Sequence, residues 1–167
     1  MQEINCRNFT IRNNNPLLIV TAGSTESVPN NTVVYPSTYW SGPRKGRGNV
    51  STSTITDTSK TITYSAPSRM DLNHTGLYYY SIIIKEAYGG GGGGSSNLND
   101  LNRYIVVESS IGEINQDSPT GNVMRCDGLI YITSTPCYIQ FRHVQITGGA
   151  VNLLPESTCH FIVTLLS

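Results

Sequence analysis

The sequence predicts an all-β protein, built as a single antiparallel β-sandwich, and three observations support this. Short runs of β-branched and aromatic residues recur along the 167 residues, separated by turn-forming residues. No stretch shows the apolar period of an amphipathic helix. Asn, Ser and Thr supply most of the polar residues, and these types favour turns and strands over helices. The pattern favours an eight-stranded jelly roll with one or two extra strands, and another sandwich or barrel is the alternative.

The first half contains five candidate strands. Turn-forming residues such as Asn, Asp, Gly, Ser and Pro lie at or near their boundaries. A sixth segment, "SGPRKGRG" (41–48), combines Gly, Pro and three basic residues and predicts a loop rather than a strand. The five runs are "INCRNFTIR" (4–12), "PLLIVTA" (16–22), "TVVYPSTYW" (32–40), "VSTSTITD" (50–57) and "KTITYS" (60–65).

The second half contains five more runs, and they are longer and more apolar. Turn signals such as "SPTGN" and "TGGA" separate them. One domain covering 1–167 follows, since the length suits a single core. The five runs are "LYYYSIIIKE" (77–86), "RYIVVESS" (103–110), "NVMRCDGLIYIT" (122–133), "CYIQFRHVQIT" (137–147) and "CHFIVTLLS" (159–167).

Charge is sparse and balanced, with 11 basic and 11 acidic residues, and only 13% of the chain is charged. A nucleic-acid binder normally carries a basic footprint, so nucleic acid is an improbable partner. A net charge near zero favours association. No apolar run is long enough to span a membrane, and "MQEINCRNFTIRNNN" does not read as a secretory signal. We therefore expect synthesis in a host cytosol, with the cysteines reduced and buried: Cys6, Cys126, Cys137 and Cys159.

Two of the predicted strands are apolar on both faces, which a two-layer sandwich does not require. Alternate residues of "LYYYSIIIK" point to opposite sides of a sheet, yet both sets are aromatic or aliphatic. A sandwich buries only one face of each sheet, so the other is covered by a neighbouring subunit, a loop or a ligand, or else carries an excess of exposed tyrosine. Of these we favour the neighbouring subunit. This predicts a homo-oligomer, a pentamer or a trimer. The residues assigned to the contact are Tyr78, Tyr79, Tyr80, Ile83, Ile162 and Leu166.

A run of six glycines lies within the segment 87–102, which the pattern predicts to be a long loop. A dinucleotide or phosphate site would need a helix, or Lys and Ser/Thr, directly after the glycines, and "SSNLNDLNR" provides neither. Glycine permits close backbone approach, so the loop suits either a crowded symmetry axis or an exposed tip. The run consists of Gly89, Gly90, Gly91, Gly92, Gly93 and Gly94.

Convergent catalytic groups are not evident, and we predict that the protein is not an enzyme. A glycoside hydrolase on this fold would need two carboxylates across a sheet, for which Glu86 and Glu108 on neighbouring predicted strands are the candidates. Cysteine and histidine spacings match no zinc signature, so neither a metal nor a cofactor is expected.

Two further surfaces deserve a prediction. The basic loop, with Arg44, Lys45 and Arg47, could contact phosphates or an acidic patch of a neighbour. The aromatic residues just before it could stack on sugar rings, which would make the chain a carbohydrate-binding module. Those aromatic residues are Tyr35, Tyr39 and Trp40.

The C-terminal stretch "GGAVNLLPESTCHFIVTLLS" (148–167) is similar to the ending of capsid and tumour-necrosis-factor-like jelly rolls. It has a hydrophobic segment, a Pro/Ser turn and then a final central strand. The chain as a whole resembles viral single jelly-roll structural proteins, which form vertex pentamers, minor capsid subunits or trimeric spike and fibre heads. No residue motif carries the likeness, so no functional residues transfer.

That resemblance implies a non-enzymatic virion structural protein that acts through homo-oligomeric assembly, with other capsid proteins as partners. The N-terminal segment is not the basic arm of a shell that faces a genome. This favours a vertex, minor capsid or spike subunit.

Overall fold

A computed structural model describes residues 15–30, 32–36, 39–47, 50–51, 61–65, 67–88, 103–117, 122–146, 149–156 and 158–166, with the backbone alone for 41–47, 50–51 and 88. No helix in these ranges is long and apolar enough to cross a membrane.

Fourteen strands run through the described residues. They are β1 (Leu17–Ala22), β2 (Glu26–Val28), β3 (Thr32–Val34), β4 (Trp40–Arg47), β5 (Val50–Ser51), β6 (Ile62–Ser65), β7 (Arg69–Leu72), β8 (Gly76–Tyr88), β9 (Arg103–Ser109), β10 (Gly112–Asp117), β11 (Val123–Ile132), β12 (Cys137–Gln145), β13 (Val151–Leu153) and β14 (His160–Leu165).

The strands form two seven-stranded sheets that face each other as a jelly roll, which confirms the predicted fold class. The first sheet has the order β2-β13-β8-β14-β1-β4, and β11 pairs with β8 on the side opposite β14. The second has the order β10-β9-β12-β7-β6-β5, with β3 paired to β12. Pairing is antiparallel except between β5 and β6.

The space between the sheets is filled by one continuous apolar core. Aromatic rings cross it from sheet to sheet, because Phe141 of β12 meets Phe161 of β14 edge-on with ring centroids 5.9 Å apart. Trp40 packs on Phe141 at 5.6 Å, and its indole N–H donates to the Ser68 hydroxyl at 3.2 Å. Edge-to-face pairs of this kind stabilise a core beyond their buried area.

The prediction of a basic loop is wrong, because Arg44, Lys45 and Arg47 lie in strand β4. β4 pairs with β1, and the register shifts twice along the pair, which lets the strand take up its glycines and Pro43. Proline is tolerated at a sheet edge, where one side of the strand has no hydrogen-bonded neighbour.

Other differences from the predicted strands have local causes. The run 32–40 is divided between β3 and the start of β4, and Tyr35 and Pro36 belong to neither strand. Strands β2, β7, β10 and β13 were not predicted: β2 and β13 have three residues each, and β7 and β10 contain several polar residues. The predicted strand 4–12 and the glycines 89–94 lie outside the described residues.

Candidate assembly surface

Strand β8 has two apolar faces, as its sequence predicts. Tyr78 and Tyr80, together with Ile82 and Ile84, are buried between the sheets, whereas Tyr79 and its neighbours on the other face are half-buried. The period-two alternation of a strand produces this division. The outward side of β8 is therefore apolar without belonging to the core of the chain.

Neighbouring strands extend that outward side across the first sheet. The register places Leu129 of β11 and Thr164 of β14 on either side of Tyr79, and Ile19 of β1 opposite Ile162 of β14. We call this surface the outer apolar face. Its apolar members are Leu17, Ile19, Leu77, Tyr79, Ile83, Leu129, Tyr131, Ile162 and Leu166.

The β11 side of the outer apolar face is its most exposed part. Leu129 is 50% exposed and Tyr131 is 67% exposed, although both are large apolar side chains. Isolated exposed residues of this kind are ordinary, but a contiguous apolar patch marks an interaction site. These two residues adjoin Tyr79 and Leu77 on β8, so the patch is contiguous.

A short polar strip crosses the same face. Asp127 of β11 accepts from the Ser81 hydroxyl at 2.7 Å and from Arg125 Nε at 2.7 Å. The Arg125 guanidinium also bonds the Tyr79 hydroxyl, and the Asp127 carboxylate raises the pKa of Arg125. At the border, Lys85 Nζ lies 2.5 Å from Glu156 Oε1. The positive and negative charges of these two pairs are equal in number.

His160 completes the face beside this strip. It lies opposite Ile83 of β8, and Arg125 lies opposite the same residue from the other side. The imidazole donates to the Thr158 carbonyl, and burial, followed by the nearby Arg125 charge, lowers the pKa of His160 from its usual value. The ring is consequently neutral at pH 7.

The β11 edge is linked to the second sheet. Asn115 Nδ2 of β10 donates to the Asp127 carbonyl at 3.0 Å, and the Arg125 amide donates to the Asp117 carboxylate at 3.0 Å. Backbone groups that are already bonded cannot recruit a further strand. At β11 the surface offered to a partner is thus the face of the sheet.

Of the residues predicted for assembly, Tyr79, Ile83, Ile162 and Leu166 lie on the outer apolar face. The assignment of Tyr78 and Tyr80 to this surface is wrong, because both side chains are buried inside the sandwich. The Tyr78 hydroxyl donates to the His74 carbonyl at 2.9 Å, and burial raises the pKa of Tyr78 to about 12.

The predicted sugar-stacking site is not formed by Tyr39 and Trp40. Tyr39 and Trp40 are 0% and 6% exposed and pack on each other in the core, with ring centroids 4.6 Å apart. Rings buried in this way present no face to a sugar. Tyr35 is exposed, but its hydroxyl donates to Glu108 at 2.8 Å on the outer side of the second sheet.

The carboxylate pair considered for a hydrolase is not brought together. Glu86 is on β8 of the first sheet and Glu108 is on β9 of the second, so the prediction of adjacent strands is wrong. Glu86 is fully buried between the sheets and bonded to Arg103 and His143. A carboxylate held in this way stabilises the fold and cannot meet a substrate.

The remaining thiols and imidazoles are dispersed. Cys126, Cys137 and Cys159 are buried free thiols, as predicted, and burial raises the pKa of the Cys126 thiol to about 12. Cys6 lies outside the described residues. Within the described part of the chain, no group of three or more His, Cys, Asp or Glu residues could hold a metal ion.

Two features were missed from the sequence. Leu129 and Tyr131 alternate with buried residues in "GLIYIT", a period-two signal that could have placed them on the outer apolar face. The cluster of Glu86, Arg103 and His143 joins strands of different sheets. No spacing in the sequence indicates that contact.

The chain is similar in fold to solved jelly-roll structures that include murine APRIL and Eiger TNF. The crystal structure of murine APRIL at pH 8.0 superposes with a TM-score of 0.60 at 11% identity, covering 91% of this chain and 99% of that one. Eiger TNF from S. frugiperda gives a TM-score of 0.56 at 12% identity, covering 92% and 93%. No protein-family profile and no curated protein matches the sequence. The likeness establishes the fold.

Proposed function

We propose that this protein is a non-enzymatic subunit that self-associates through the outer apolar face of its first sheet. The observation that carries the proposal is the contiguity of half-exposed aromatic and aliphatic side chains across β1, β14, β8 and β11. Burying apolar area contributes about 25 cal/mol for each Å² removed from water. A stable interface needs roughly 800 Å² per partner.

A second copy of the chain fits this face electrostatically. The strip holds one pair of opposite charges, Arg125 with Asp127, and the border holds another, Lys85 with Glu156. The face therefore presents no net charge to the surface of the neighbouring copy that covers it. The chain as a whole is also neutral, with 11 basic and 11 acidic residues, so copies do not repel one another.

A matched pair of substitutions tests the location of the contact. Leu129→Asp places a charge on the outer apolar face, and Val33→Asp places one on the second sheet, where the side chain is almost equally exposed at 53% against 50%. Because both sites are exposed, both variants are expected to fold. We expect Leu129→Asp to weaken association about a hundredfold in sedimentation velocity, with Val33→Asp unchanged.

Equal behaviour of the two variants would remove this face from the assembly. If Val33→Asp alone dissociates the protein, the second sheet carries the contact instead. Far-UV circular dichroism of both variants separates a lost contact from a lost fold.

We further propose the setting of this subunit, a virion, in which it serves as a vertex, minor capsid or spike protein made in a host cytosol and joined to other capsid proteins. The support is the resemblance of the C-terminal stretch and the jelly-roll fold. Electron microscopy of virus particles labelled with an antibody to this protein tests the setting. Label on intact particles supports it, and label confined to infected-cell debris contradicts it.

A further inference from the structure

We propose that His160 makes self-association through the outer apolar face sensitive to acid, so that the assembly dissociates when this imidazole is protonated. The inference rests on the proposed function and adds its regulation. His160 lies on this face beside Ile83 of the neighbouring strand. Arg125 lies on the far side of Ile83, two strands from His160, which is about 10 Å at the usual strand spacing.

The charges that face His160 are already partnered or positive. On β11, Asp127 is bonded by both Arg125 and Ser81. On β8, Lys85 pairs with Glu156 from the segment between β13 and β14. On β2, Glu26 is in register, through β13, with buried Leu153 and Glu86, so it lies on the inner side of the sheet and does not face the ring. On β4, the backbone of Lys45 is in register with Ile19 of β1, two residues along β1 from Thr21, the partner of His160.

Protonation therefore has a one-sided effect on the face. Asp127, the carboxylate that favours the charged ring, already accepts hydrogen bonds from Arg125 and Ser81, and its effect on the ring is smaller than that of burial. The face changes from neutral to a net charge of +1, and each copy contributes the same increment. Between two copies, where water is excluded, like charges repel more strongly than in solvent.

The free subunit already disfavours this charge. Burial lowers the pKa of His160 and the Arg125 guanidinium adds to this, while the Thr158 carbonyl and the Asp127 carboxylate oppose the shift without reversing it. Covering the face with a second copy removes the remaining water and disfavours the charged ring further. By linkage, a group whose charged form is disfavoured more in the assembly than in the free subunit weakens the assembly as pH falls.

Two substitutions of this residue imitate its two states. His160→Gln is neutral at every pH, and His160→Lys is positive at neutral pH. We would measure native mass by sedimentation velocity at about pH 7.5 and about pH 5, the range over which histidine titrates. We expect the wild type to associate about tenfold or more weakly at the lower pH, His160→Gln to respond little, and His160→Lys to be dissociated at both.

The outcomes separate the inference from the proposed function. A wild-type monomer at both pH values contradicts self-association, and the inference fails with it. A wild-type oligomer with the same mass at both pH values contradicts the inference alone. So does His160→Gln that dissociates in acid as fully as the wild type.

A spectroscopic measurement keeps the test valid if either variant misfolds. NMR titration of the His160 ring is compared between the wild-type oligomer and the monomeric Leu129→Asp variant. We expect a lower pKa of His160 in the oligomer. The same pKa in both would overturn the inference.

Discussion

The outer faces of the two sheets are built from different chemistry, although both belong to the same sandwich. On the first sheet, half-exposed aromatic and aliphatic residues cover four neighbouring strands. On the second, Arg142 of β12 pairs with Glu108 of β9 at 3.4 Å and with Glu113 of β10. The hydroxyl of Tyr35 also donates to Glu108.

The same polar arrangement continues along the second sheet. Arg69 of β7 lies over the ring of Tyr138 at 4.2 Å from its centroid. Arg69 Nε also donates to Asp71 at 2.6 Å, and Ser65 donates to the same carboxylate. Hydrated ion pairs of this kind contribute little to stability, and they keep a surface compatible with water.

The difference teaches which face is complete in a single chain. The second face exposes Val33 and Tyr35, but its charged groups form ion pairs and hydrogen bonds that are satisfied within the subunit. The first face has apolar side chains that no described residue of the same chain covers. This contrast assigns the outer apolar face of the first sheet as the interaction surface.

The largest effect on stability concerns charge between the two sheets. Glu86→Gln should lower the free energy of unfolding by about 3–5 kcal/mol, because it breaks a buried pair and leaves Arg103 without its counter-charge. The matched control is Glu113→Gln, which removes a carboxylate from Arg142 on the second face and should cost under about 1 kcal/mol. Urea unfolding at a fixed protein concentration measures both.

Equal losses in these two variants would contradict the distinction. They would mean that charges on the second face stabilise the fold as much as charges in the core, so that this face could not be regarded as merely hydrated.

An intermediate effect concerns the strand that carries Leu129 and Tyr131. A Cβ on Gly128 would lie 2.4 Å from the hydroxyl of Tyr80, which is buried and cannot move aside. Gly128→Ala should therefore displace β11 and lower the free energy of unfolding by about 1–3 kcal/mol. Association should weaken with it, because β11 forms one side of the outer apolar face.

Gly149→Ala is the control for that change, since a Cβ there meets nothing within 4 Å. Thermal unfolding and native mass of the two variants are compared side by side. A Gly128→Ala protein as stable as Gly149→Ala would show that β11 is not held by this contact.

The alternation of "LYYYSIIIK" predicts the two faces of β8, yet not which of them is the core. Both faces carry tyrosine and isoleucine, so the choice depends on which one meets the second sheet. This is why Tyr78 and Tyr80 were assigned to the contact with Tyr79, and why only the fold separates them.

Strand β4 shows a second limit of the sequence. Glycine, proline and charge predict a loop at 41–48, but backbone hydrogen bonds to β1 form across two register shifts. The cluster of Glu86, Arg103 and His143 shows a third. Its members come from β8, β9 and β12, and the packing of the sheets brings them together.

The smallest effect lies on the second face. Arg142→Gln removes the charge shared by Glu108 and Glu113, and we expect a loss of stability below about 1 kcal/mol with no change in native mass. Thermal unfolding and light scattering measure the two quantities. A change in mass here would mean that the second face also takes part in assembly.

The central claim is that copies of this chain bind one another, and the native mass of the unmodified protein tests it most directly. Light scattering after size exclusion, over a series of concentrations, gives that mass. Self-association predicts a discrete multiple of the 18.2 kDa chain. A trimer would favour a spike subunit, and a pentamer would favour a vertex subunit. A mass of 18.2 kDa at every concentration would contradict self-association.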